Sequence, residues 1–352
     1  MTAVWGFAQG GLAGGYAGNC GDKLTWSVEG GNFGFTLTIG GTGKMYDYNS
    51  IMDTPWWQFR DVIDKVVIND GATSIGNNAF VFPILASISI PESLTSIGVY
   101  AFRDCENLAT VNFAEDSQLQ NIGTRAFEGC SSLTSITIPK GVTTIGEAVF
   151  GGCTGLSTVN YNAANCTVMG SISYPAFAGC SKLGTVNIGE EVINIPDYAF
   201  YAFSGLTSVT IPKNVASIGS SAFGECSSLT SIDFDTENCT VGRGIFYDCT
   251  SVATIHIGNN VKKIPDELFS NCTDAASVTV VIPDNVTNIG ESAFAFCKGI
   301  TSVTFGNGVT DIGVYAFRDC ENLATVSFAE DSQLQNIGTR AFEGCSSLNS
   351  IG

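Results

Sequence analysis

Charge is scarce in this chain. Only 14% of its 352 residues are charged, against roughly 25% in an ordinary soluble domain. Base is scarcer still: Lys and Arg number 15 against 33 Asp and Glu, for a net charge of −18. Binding phosphate needs clustered Lys and Arg, so nucleic acid is excluded as a partner and anionic lipid is disfavoured. There is one histidine, His256. It rules out His-rich metal sites and leaves a single candidate base for Ser–His or Cys–His machinery. No apolar run approaches the roughly 18 residues that a membrane-spanning helix needs. No Cys-x-x-Cys occurs, which argues against structural zinc and thioredoxin-type chemistry. What the chain does hold is 41 glycines and thirteen cysteines. By compartment alone those cysteines suggest a disulfide-bonded secreted protein. Their spacing says otherwise.

The pair Ala-Phe, or a close variant, recurs with its Phe at 80, 102, 127, 150, 177, 200, 223, 246, 269, 294, 317 and 342. A 23-residue unit with small insertions accounts for the eleven steps between these twelve repeats. Ile-Gly, Ile-Pro or a close variant (Met169-Gly170, Val241-Gly242) precedes each Phe, as in Ile145-Gly146 and Ile195-Pro196. Beyond it lies Leu-x-x-Ile-x-Ile, as in Leu133 to Ile138, which alternates apolar and polar and predicts a short strand. Pro or Gly often ends it (Pro91, Pro139, Pro212, Gly258, Gly306). The Ala-Phe stretch is too short for a full helix and predicts one turn of helix or 3-10. One unit cannot bury Leu133, Ile136, Ile138, Val142, Ile145, Val149 and Phe150 alone. Stacked units can, which gives an α/β repeat solenoid with a parallel sheet on one face and helical turns on the other.

Ten of the twelve Phe are followed three residues later by Cys; Pro83 and Phe203 fill the other two slots. Equivalent positions of successive coils form a ladder, so these cysteines read as a buried, reduced row of small apolar side chains. Their Cβ vectors would run parallel and so oppose bridging. Cys20, Cys166 and Cys239 lie off the ladder.

The run from Leu133 to Cys153, Leu-Thr-Ser-Ile-Thr-Ile-Pro-x-x-Val-Thr-x-Ile-Gly-x-x-Val-Phe-x-x-Cys, resembles the BspA-like (Treponema-type) leucine-rich repeat, and the resemblance extends over residues 66–352. Residues 20–26, 37–43, 45–48 and 55–57 are similar to the lead-in segment of such proteins. The resemblance implies a curved solenoid on a bacterial cell surface or secreted from it. It also implies adhesion to host matrix proteins or to other cells, with no catalytic residues to carry over; the outward strand face, read from its own residues, would dock a host or cell-surface protein or a glycan. No cell-wall anchor or transmembrane tail is seen in this chain, and Met1–Gly18 lacks the basic residues of a signal peptide.

Residues 1–65 depart from the repeat and hold all four Trp. Lys23–Val28 and Phe33–Ile39 alternate like a hairpin. An open solenoid end exposes core, so this region reads as a cap, with an aromatic carbohydrate-binding module as the sharper alternative. The last residues, Ser347-Leu-Asn-Ser-Ile-Gly352, read as an uncapped strand, which suggests end-to-end self-association as a second function. Residues 97–136 and 312–351 are identical except for Asn112/Ser327 and Thr134/Asn349. The surfaces around Arg103/Arg318 and Arg125/Arg340 must therefore look alike.

No cofactor, metal or catalytic centre is expected. Asp233, Asp235 and Glu237 lack the loop length and Gly of a calcium hand. His256 faces Asp233 one coil before it, without an activated nucleophile. The outward strand residues form two columns of hydroxyls and amides. Asn160, Asn187, Thr210, Asp233 and His256 make the least uniform stretch, and this is the expected ligand-binding face.

Overall fold

The structure, a computed structural model, describes residues 16–30 and 34–352. Residues 1–15, with Trp5, and residues 31–33 of the expected hairpin lie outside it. The chain is a parallel β-solenoid of about twelve turns, and each coil has three sides. The first is a four-residue strand from Leu-x-x-Ile-x-Ile, such as Ser135–Ile138 or Thr158–Tyr161. The second is a two-residue strand at the Ile-Gly position, such as Asn121–Ile122 or Thr144–Ile145. The third is the Ala-Phe turn. Alternation decides the first: Ile136 and Ile138 are buried while Ser135 and Thr137 face solvent. Equivalent residues then stack in register, Ser135 beside Thr158 beside Thr185, and Asn121 beside Thr144.

The Ala-Phe segment is not the helical turn expected from its length. Among the described residues the only helical elements are two 3-10 turns before the first coil, Ile51–Asp53 and Trp57–Phe59. Around Phe102, Tyr100 and Asp104 sit at φ 57° and 53°; around Phe150, Ala148 and Gly152 sit at 46° and 68°. A right-handed helix cannot run through such points. Hydrogen bonding gives the reason. Phe102 N–H donates to Ala126 O one coil on (2.7 Å) and Asp104 N–H to Glu128 O (2.7 Å), while Arg103 N–H turns back to Tyr100 O (3.2 Å). Alternate amides thus bond to the next coil, so the third side is a ladder too. Both geometries place Ala-Phe inward, so periodicity could not separate them.

The repeat Phe rings form a column along the core. Trp56 starts it, stacked on Phe80 at 5.6 Å. Phe102, Phe127, Phe150 and Phe177 follow at 5.1 to 5.6 Å. A second run, Phe200 to Phe342, continues with near-parallel rings. Between the runs Phe203 stands edge-on to Phe177 (5.2 Å, 89°) and to Phe200 (5.8 Å, 72°). The ring that replaces a ladder cysteine therefore joins the two columns.

Proline sets where the ladders part. The long-strand ladder is interrupted four times, before Ser87–Ile90, Ser135–Ile138, Ser208–Ile211 and Val278–Ile282. The short-strand ladder is interrupted twice, before Asn194–Ile195 and Lys263–Ile264. The residue after each of these six strands is Pro91, Pro139, Pro212, Pro283, Pro196 or Pro265, and no other ladder strand is followed by Pro. In unbroken steps that residue donates its N–H to the previous coil, as Asn162 does to Ile138 O (3.2 Å) and Gly146 to Ile122 O (2.9 Å). Proline has no N–H to give.

The region before the coils extends the same ladders. Leu24–Gly30 pairs antiparallel with Phe35–Gly41, which pairs parallel with Ile63–Ile68; Gly43–Lys44 pairs parallel with Ala72–Ile75. Tyr16–Asn19 closes the outer edge. Trp56 is fully buried and its Nε1–H donates to Ala79 O at 2.8 Å. Trp26 meets it edge-on at 6.0 Å.

Candidate interaction surfaces

The strand face places the five expected residues on two separate ladders. Thr137, Asn160 and Asn187 share one register row, and Thr210, Asp233 and His256 share another. The Pro212 break lies between them. Within each row the side chains bond sideways. Asn160 Nδ2 donates to Thr137 Oγ1 (3.1 Å), and Asn187 Nδ2 donates to Asn160 Oδ1 (2.8 Å). His256 Nδ1 lies 2.8 Å from Asp233 Oδ1. Asp235 turns away to Asn260, so the three acids do not converge. Much of this face's hydrogen-bonding capacity is already engaged along the ladder. Val281, 57% exposed, interrupts the polar column in the ninth row.

The turn side is chemically different. Five of the six Arg and six of the ten Tyr lie within three residues of a repeat Phe. Arg103 stacks over Tyr100 (5.1 Å) and pairs with Glu128 (3.1 Å). Arg125 lies over Tyr174 (5.5 Å) and its Nη1 donates to Tyr100 OH (3.3 Å). The duplicated segment repeats the pattern: Arg318 over Tyr315 at 5.1 Å, and Arg340 donating to Tyr315 OH at 3.3 Å. Tyr174, Tyr247 and Phe296 are 48%, 48% and 41% exposed. The left-handed residues beside each Phe turn these side chains outward. The sequence carries this signal in the residues that flank Ala-Phe, outside the strand columns.

Among the described residues, clefts open at proline breaks. Their volumes are about 690 Å³ at Pro139, 530 Å³ at Pro91, 470 Å³ at Pro196 and 430 Å³ at Pro265.

All thirteen cysteines are free. Nine of the ten ladder thiols lie 2.9 to 3.4 Å from the carbonyl oxygen of the repeat Phe one coil before, as Cys105 to Phe80 and Cys297 to Phe269. The thiol is thus a buried donor as well as a small apolar filler. Cys272 is the exception, with Sγ 3.9 Å from Cys297 Sγ, beside the Pro265 break. Burial pushes Cys20 up to about 11 and Cys239 up to about 12. Such thiols are poor nucleophiles at neutral pH. Among the described residues no group of His, Cys, Asp or Glu is arranged to hold a metal.

The BspA-type leucine-rich repeat region matches the chain at residues 59–171, 167–276 and 275–352. The chain belongs to this family. A leucine-rich repeat protein from Bacteroides ovatus shares its fold, with TM-score 0.50 and 22% identity over 94% of this chain and 93% of that one. A leucine-rich repeat protein from Eubacterium ventriosum is 25% identical over 96% and 97% of the two chains, with TM-score 0.45. A leucine-rich cell surface protein from Faecalibacterium prausnitzii is 21% identical over 90% and 94%, with TM-score 0.34. No curated protein matches the chain. The BspA-type assignment thus rests on the repeats themselves, where the sequence resemblance also lay.

Proposed function

We propose that the chain is a non-enzymatic bacterial surface or secreted protein of adhesin type, which holds host or neighbouring-cell proteins along its solenoid. Membership of the BspA-type family supports the surface setting. The observation that carries the binding role is the Tyr- and Arg-rich turn side, where rings and guanidinium groups are held on a rigid hydrogen-bonded ladder. Tyr and Arg dominate the energetic centres of protein interfaces, and preorganised side chains lose little entropy on binding. The strand face of Asn160, Asn187, Thr210, Asp233 and His256 is the second candidate, weaker because its polar groups bond to one another.

Surface plasmon resonance over immobilised fibronectin, laminin, fibrinogen and collagen tests this with two double variants. Arg125→Ala with Tyr174→Ala is expected to abolish capture. Asn187→Ala with His256→Ala is expected to leave it unchanged. Capture that survives both variants, or no capture by the wild type, overturns the reading.

A further inference from the structure

The cleft at Pro139 is more than a packing gap. Thr110–Phe113 and Ser135–Ile138 are neighbouring rungs that do not pair, and Pro139 has no N–H to offer the Phe113 carbonyl. Phe113 lines the cleft; it is partly buried against the core, in register with Ile90, and has no aromatic neighbour among the described residues. Its counterpart in the duplicated segment, Phe328, instead lies flat on Phe305 at 5.0 Å. The amides of Asn112 and Asn162, which line the same space, make no side-chain hydrogen bond among the described residues, in contrast to Asn160 and Asn187 further along the same strand face. Thr137 Oγ1 accepts from Asn160, which leaves its own proton free to point into the cleft. An insertion carries Glu115, Asp116 and Gln118 along the other wall.

We propose that this cleft binds a neutral glycan of one or two sugar rings. Its volume, about 690 Å³, lies within the range of small-molecule sites, roughly 300–1,000 Å³. A sugar has an apolar C–H face and a rim of hydroxyls that each donate and accept. The Phe113 ring matches the first. Free amides, a hydroxyl and carboxylates, which together donate and accept, match the second. Charge selects within the class. Glu115 and Asp116 line the site, the one lysine there, Lys140, is paired with Glu191, and the whole chain carries −18. Sialylated, sulfated and uronic sugars are repelled. The site does not depend on the turn side binding protein, and each can fail without the other.

Saturation-transfer NMR tests the proposal with cellotetraose, chitotetraose and lacto-N-tetraose at millimolar concentration, and 3′-sialyllactose as the acidic comparison. At least one neutral probe is expected to bind and the sialylated one is not. Asn112→Ala and Gln118→Ala are expected to weaken that probe about tenfold or more, the loss of one or two hydrogen bonds. Both residues are exposed, so neither change threatens the fold. Glu330→Ala with Gln333→Ala alters the same loop sequence in the second copy, without the Pro139 coil, and is expected to have no effect. No signal from any neutral probe overturns the proposal. So does equal binding by the Asn112 and Gln118 variants, or loss caused by the second-copy variant.

Discussion

Glycine 146 gives a sharp test of how tightly these coils are stacked. A Cβ placed there would lie 2.4 Å from Thr124 N and 2.7 Å from Thr124 Cα, both main chain of the coil before. An ordinary contact starts near 3.4 Å, so the two coils would have to part by about 1 Å, in a stack whose natural step is about 4.8 Å. That strain falls on the Gly146 N–H to Ile122 O bond (2.9 Å) and on the Phe127–Phe150 stack (5.6 Å). Overpacking of this kind costs about 1–3 kcal/mol, and a weakened hydrogen bond adds about 1 kcal/mol. Gly146→Ala is therefore expected to cost about 2–4 kcal/mol. Gly152→Ala is the control. Its φ is +68°, but its nearest neighbour stands 3.9 Å from the new Cβ, so only the left-handed backbone is charged, about 1–2 kcal/mol. Urea unfolding followed by circular dichroism ranks the two. Because a solenoid can open locally, hydrogen exchange over residues 121–161 locates the damage. If Gly146→Ala proves no worse than Gly152→Ala, or leaves exchange in those coils unchanged, the tight stacking argued here is wrong.

Three further outcomes follow from the core. Phe203→Cys restores the repeat pattern yet removes the ring that joins the two aromatic columns, so it should lower stability by about 2–4 kcal/mol, measured by urea midpoint; a neutral or stabilising result would mean the ring fills no essential gap. At pH 8 only Cys345, half-buried and held below its ordinary value by the Cys320 thiol, should react readily with a thiol reagent in the native protein, because burial raises Cys180 and Cys239, and all thirteen cysteines should react after denaturation; fewer than thirteen then would mean some are bridged. Cys20 is raised from 9.0 to about 11 by burial, so its contribution to stability is complete below pH 9 and is lost as pH climbs towards 11, because the unfolded thiol ionises first. The fall in urea midpoint over that window should be smaller in Cys20→Ala, and an identical fall would refute the assignment.

The inward positions were legible from sequence. Ile136, Ile138, Ile145 and Phe150 recur at a fixed spacing, and each is buried as that spacing requires. The thiol row was legible for the same reason, though its hydrogen bond to the preceding Phe carbonyl was not, since it joins residues about 25 positions apart. In the sequence, proline marks only the end of a strand. Its larger effect, a missing donor to the coil before, appears once the coils are stacked, and with it the clefts.

The sequence by itself determined that the chain stacks: a 23-residue apolar period can be buried only against its own next copy. It also determined which side chains face inward, since alternation along a strand permits only one answer. Tertiary structure alone decided what becomes of the rest. Whether alternate amides close a helical turn or reach the next coil is a choice between bonds of similar strength, and the neighbouring coil settles it. The same holds outside the core. On the strand face Asn160 and Asn187 find partners one coil away, whereas Asn112, across the Pro139 break, does not, and only the stacked molecule distinguishes the two.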